Sequence, residues 1–124
     1  MSKLLGIDYG EKRIGLAIAD GESKAVAPFK ILENKKNFFS ELGKIIDQEN
    51  IDLIVVGLPV GLKNQETRQT ITVREFTEKL KKVITLPIVF EDERLTSKIY
   101  QKSGKKYLDA LSAMKILESY INRH

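Results

Sequence analysis

The chain has 124 residues, 42% hydrophobic and 31% charged: enough for one buried core, too little for two, and too apolar for a disordered polyelectrolyte. Cysteine is absent, which excludes disulfide staples, thiolate metal centres and a cysteine nucleophile. The net charge of +4 fits a polyanionic partner and a lysine-rich solubilising surface equally well.

The first apolar run, residues 4–7, is far too short for a signal-peptide core or a membrane span, so a cytoplasmic protein with no membrane partner is expected. Residues 4–8 read as a strand. The turn Tyr9-Gly10-Glu11-Lys12 follows, with Gly10 able to adopt positive φ. Residues 13–20 alternate, placing Ile14, Leu16 and Ile18 on one face and Gly15, Ala17 and Ala19 on the other, where a helix could lie close. A third run, residues 25–32, is assigned to a sheet edge because Pro28 cannot donate to a central ladder.

The period then becomes helical: Phe38, Leu42, Ile45 and Ile46 form an apolar stripe that ends in charge at Glu49. Residues 52–58 are continuously apolar from Leu53 onward, as in a strand buried on both faces. A Gly/Asn loop over residues 61–64 leads to a second amphipathic helix in which Val73, Phe76, Leu80 and Val83 are expected to share a face, with Lys79, Lys81 and Lys82 at its solvated end. A short strand over residues 86–90 comes next. Thr96 can cap a short helix that Gly104 stops, and a last helix spans about residues 107–122. The order β-β-β-α-β-α-β-α predicts a single α/β domain over residues 1–124: a mixed five-stranded sheet with residues 4–8 at its centre and helices on both faces.

Three acids stand in surroundings that normally reject them. Asp8 ends an apolar strand, Glu93 follows Ile88-Val89-Phe90, and Asp109 lies in a helix whose neighbours are mostly apolar. Each has an ordinary alternative: a turn-initiating Asp, a surface pair with Arg94, an acid in a helix's first turn. Together they are less ordinary, because the topology carries both strand ends and the last helix toward one edge of the sheet. Converging carboxylates without His or Cys make a hard-oxygen site suited to Mg²⁺ or Mn²⁺ and to phosphoryl transfer. Lys12, Arg13 and Arg94 adjoin these acids and could hold phosphate. Lys98, Lys102, Lys105 and Lys106 could extend a phosphate-tracking patch.

These segments resemble the YqgF (RuvX) family, Holliday junction resolvase-like members of the RNase H-like superfamily. The resemblance rests on Gly6-Ile-Asp-Tyr-Gly10, Lys12-Arg13-Ile14-Gly15-Leu16-Ala17, Val56-Gly57-Leu58-Pro59, Asp92-Glu93-Arg94-Leu95-Thr96-Ser97 and Asp109-Ala110-Leu111-Ser112-Ala113, in the family's order over nearly the whole chain. It implies an RNase H-like fold and a metal-dependent nuclease acting at the 5′ end of pre-16S rRNA in ribosome biogenesis, or a resolvase of branched DNA. On the family pattern Asp8, Glu93 and Asp109 are the catalytic and metal-binding acids. Arg94 and Thr96 belong to their supporting shell, and Asp92 is a structural partner of it. Two departures are visible. The stretch between Ser97 and Asp109 is shorter than usual, and Ser112 stands where the better-studied resolvases carry a further acid, which makes one metal a safer expectation than two.

A non-catalytic nucleic-acid-binding module of the same fold is the competing reading. A sugar-kinase or actin-like ATPase would need a duplicated domain, and the only histidine, His124, gives a serine triad no base. Gly57-Leu-Pro-Val-Gly61 lacks the closing Gly-Lys-Ser/Thr of a phosphate loop and reads as a strand-to-loop turn. The sequence is compatible with a monomer or a homodimer.

Overall fold

The computed structural model describes residues 2–60, 65–93 and 105–123, with the side chains of 105–109 excepted. Its centre is β1 (Lys3–Asp8), paired antiparallel with β2 (Arg13–Asp20) and parallel with β4 (Leu53–Pro59). With β3 (Val26–Glu33) and β5 (Ile88–Glu93) at the two ends, the strand order is β3-β2-β1-β4-β5. The mixed five-stranded sheet and the central place of residues 4–8 are as the sequence predicts. The helices are α1 (Phe38–Glu49), α2 (Arg68–Val83) and α3 (Lys105–Arg123).

Strand alternation divides the core between two faces. Leu5, Ile7, Ile14, Leu16, Ile54 and Val56 meet Leu42 and Ile45 of α1 and Val73, Phe76 and Leu80 of α2. On the opposite face Leu4, Ala17, Ala19 and Val55 meet Ala113, Ile116, Leu117 and Ile121 of α3. Small residues bring α3 down onto the sheet. A Cβ on Gly6 would stand 2.6 Å from Leu117 Cγ and 2.9 Å from the Ala113 carbonyl.

Local chemistry fixes the connections. Thr67 caps α2, its hydroxyl accepting from the Thr70 backbone while the Thr70 hydroxyl accepts from the Thr67 N–H. The Thr70 hydroxyl also donates to the Pro59 carbonyl, tying the first turn of α2 to the end of β4. At the other end of the sheet, α1 closes on Asn50 with φ 55°, a left-handed cap that Asn tolerates. In β3, Pro28 lies opposite Ala17 and Lys30 opposite Leu16, so Phe29 is the extra residue of a bulge on an edge strand, where the missing proline N–H is harmless.

Four expectations need correction or fall outside the description. Val83, expected to share a face with Val73, Phe76 and Leu80, is 58% exposed where those three are buried; it is the last residue of α2. β5 begins at Ile88 and continues through Glu93, since its pairing with β4 extends to Pro59. Gly10 does not use a left-handed backbone. Its missing side chain matters instead because a Cβ there would collide with the Arg13 carbonyl. The short helix expected between Thr96 and Gly104 lies outside the described residues. Among the described residues no helix is long and apolar enough to cross a membrane.

Candidate active site

β1, β4 and β5 run parallel, so their C-terminal ends share one edge of the sheet. Asp8 is the last residue of β1 and Glu93 the last of β5, and both lie on the face covered by α3: Asp8 two residues beyond Gly6, Glu93 four beyond Val89. Between them β4 contributes Gly57. A Cβ at Gly57 would meet Ile116 of α3, with Cγ1 at 2.8 Å, and would lie 3.1 Å from Glu93 Oε2. The absent side chain is therefore the passage by which Glu93 leans across β4. It reaches Asp8, and the two side chains are hydrogen-bonded.

Two carboxyl groups in contact are stable only with a proton between them or a cation beside them. Burial pushes the Glu93 carboxyl above its usual range, and the hydrogen bond to Asp8 pulls it part of the way back. The first cause is desolvation, which penalises the charged form. A divalent cation beside the pair would offset both the desolvation of Glu93 and its repulsion from Asp8, and oxygen-only donors suit Mg²⁺ or Mn²⁺.

Asp109 occupies the second turn of α3, four residues before Ala113 and seven before Ile116. α3 runs antiparallel to β1: Ile121 packs in the cluster with Leu4, Ala113 and Leu117 lie over Gly6, and the N-terminal turns extend toward Asp8. The Asp109 side chain lies outside the described residues. Among those residues no group of three metal-ligating side chains occurs, so Asp8 and Glu93 are the pair they bring together.

Of the expected phosphate-binding residues, Arg13 opens β2, two residues before the Gly15 that pairs with Asp8, and so shares the Asp8 face of the sheet. It is partly buried, whereas Lys12 is exposed in the preceding turn. Arg94, Thr96, Lys98 and Lys102 lie outside the described residues, as do the side chains of Lys105 and Lys106. Asp92 is exposed and, by alternation, on the opposite face from Glu93.

A buried acid that the sequence reading passed over is Glu91. It is 2% exposed and accepts from the Ser119 hydroxyl at 2.6 Å and from Arg123 Nη2 at 2.6 Å. Glu91 and Glu93 share a face of β5, so one strand uses one carboxylate to anchor α3 and sends the next to Asp8. The signal available in the sequence was the i, i+4 spacing of Ser119 and Arg123, which puts both on one side of the last helix.

The fold and the chain can be set beside known proteins. The structure of Thermus thermophilus RuvC in complex with a Holliday junction substrate superposes with a TM-score of 0.60 at 9% identity, covering 99% of this chain and 95% of that one. The fowlpox virus Holliday junction resolvase gives 0.54 at 14% identity, covering 98% and 99%. At such low identity these likenesses speak for the fold, which is the RNase H-like one. By sequence, the chain is similar to a protein of Maridesulfovibrio salexigens named "Putative pre-16S rRNA nuclease", 38% identical with 98% of each chain covered. A protein of the same name from Sulfurihydrogenibium sp. is 37% identical, covering 99% of this chain and 92% of its own. The profile of the family described as RuvX, Holliday junction resolvase, matches residues 2–123, and the chain therefore belongs to the RuvX family.

Proposed function

We propose that the protein is a metal-dependent endonuclease for structured nucleic acid, acting in the cytoplasm on the 5′ end of pre-16S rRNA, with the whole chain as one catalytic domain. The observation that carries this is the contact between Asp8 and Glu93 across Gly57, two acids from separate strands in a partly buried site. A structural role gives no reason to place two like-charged groups together away from solvent, whereas a cation site requires it.

In this reading Asp8, Glu93 and Asp109 hold Mg²⁺ or Mn²⁺. The cation, when bound, polarises the phosphodiester and favours attack by water. Asp8 fixes the position of Glu93 through their direct contact, and the apolar flank of Ile116 limits water around Glu93. Lys12 and Arg13 bind phosphate on the substrate's approach, and Arg94 and Thr96 support the acids from the segment after β5.

The name carried by the two sequence relatives favours pre-16S rRNA as substrate, and the family description favours four-way DNA junctions. Labelled pre-16S 5′ leader RNA and a four-way DNA junction, each incubated with and without Mg²⁺ or Mn²⁺, decide between them. Cation-dependent cuts in the leader that vanish in Asp8→Asn are expected. Binding of either substrate with no cleavage under any cation would instead establish a non-catalytic module.

A further inference from the structure

Nine aromatic side chains are present, four Tyr and five Phe, and four of them, Tyr9, Phe38, Phe39 and Phe76, gather in one place. Phe38 and Phe76 are buried and serve the core. Tyr9 and Phe39 pack against that core but are only partly buried, so part of each ring is open to solvent. The rings of Phe39 and Phe76 lie nearly parallel, 20° apart with centroids at 6.0 Å, and Tyr9 stands 4.6 Å from Phe76. They border a cavity of about 140 Å³ whose rim carries Asn34, Glu75 and Lys79. That size suits one flat ring, since an apolar cavity of about 150 Å³ takes benzene. The rim offers hydrogen-bond acceptors from Glu75 and Asn34, donors from Asn34 and Lys79, and a cation for a neighbouring phosphate. The Asn34 side chain is held in place by donating to the Gly10 carbonyl at 2.9 Å.

The location ties the cavity to the acids. Tyr9 follows Asp8 directly, with Cα atoms about 3.8 Å apart, and alternation turns the two side chains to opposite faces at the same end of β1. A strand whose phosphate lies over the acids can carry an adjacent nucleotide around that end.

We infer that the cavity between Tyr9, Phe39 and Phe76 is a stacking pocket for one unpaired nucleobase of the substrate, on the other face of the sheet at the end of β1 that carries Asp8. The inference rests on the nuclease reading above and narrows its substrate class to nucleic acid with an unpaired or displaced nucleotide at the scissile region. Aromatic faces take any base because every base has a π-face, and unpaired bases are the ones free to leave the helix.

The test uses duplex RNA with one bulged uridine and the same duplex with an abasic bulge, bound to the full chain in EDTA, where metal-dependent cleavage is off. The parent protein is expected to bind the uridine bulge about tenfold tighter. Phe39→Leu, checked for folding by its thermal melt, is expected to abolish that ratio. Phe39→Trp is expected to keep it and, as the protein contains no other tryptophan, to show indole emission quenched by the uridine bulge alone. The Trp variant and the parent ratio decide the matter even if Phe39→Leu does not fold. Equal binding of the two duplexes by the parent, an unchanged ratio in folded Phe39→Leu, or an unquenched indole overturns the pocket. Cleavage measured on the same preparations with Mn²⁺ separates the two readings. Cleavage without base discrimination sinks only the pocket, and discrimination without cleavage sinks only the nuclease.

Discussion

Glu93 concentrates the chemistry of the site in one titration. Its carboxyl is raised by burial, so its contribution to stability is fully present below about pH 4.5 and is lost as pH rises through the higher value of the folded state. Glu93→Gln is neutral at every pH and escapes that loss. In metal-free urea unfolding from pH 4 to pH 8, the variant is expected to gain on the parent as pH increases; a difference that stays flat would mean that Glu93 is solvated. Gly57 is the complementary case, a residue defined by what it lacks. Gly57→Ala has to displace the buried Ile116 side chain and crowd Glu93 Oε2, at a cost of about 1–3 kcal/mol read from the urea midpoint. An unchanged midpoint would show that α3 can give way there. Asp8 and Glu93 stood out in the sequence because each ends an apolar run. Glu91 did not, because in Glu91-Asp92-Glu93 an anchoring acid and a solvated one look alike until the strand's alternation is known.

At the level of elements, the position of α3 along the sheet decides whether Asp109 comes near Asp8. Apolar contacts with Gly6, Ala17 and Val55 hold its middle, and the Glu91 pair with Ser119 and Arg123 holds its C-terminal part. Because Glu91 is buried, the two ends of that pair are not equivalent. Arg123→Ala leaves the buried carboxylate with the Ser119 hydroxyl but no cation and is expected to cost about 2–3 kcal/mol, below the 3–5 kcal/mol of fully buried pairs because the arginine is 60% exposed. Adding Glu91→Gln to that variant is expected to recover part of the loss in chemical unfolding; a further drop would mean that the two residues are not coupled. Element types and approximate bounds were legible because apolar period follows from backbone geometry. Val83 marks the limit of that signal: periodicity says which way a residue faces and nothing about whether anything covers it at the end of a helix.

For the whole molecule, a cation bound only by the folded chain links function to stability. Mg²⁺ or Mn²⁺ at a hundred times its dissociation constant is expected to stabilise the parent by about 2.7 kcal/mol, seen as a higher melting temperature in calorimetry. Asp8→Asn, Glu93→Gln and Asp109→Asn are each expected to shrink that gain. Melts identical with cation and EDTA in the parent would remove the metal site. The sequence by itself determined the order of elements, the centrality of residues 4–8, the edge position of the Pro28 strand and the identity of the suspect acids. These depend on local rules: side-chain period, turn chemistry and the cost of placing charge in an apolar run. What only the tertiary structure decided is that Glu93 crosses Gly57 to touch Asp8, that Glu91 anchors α3, and that Tyr9, Phe39 and Phe76 surround a cavity. Each depends on strand register and helix docking between residues tens of positions apart, and those distances are set by packing, which no local pattern encodes.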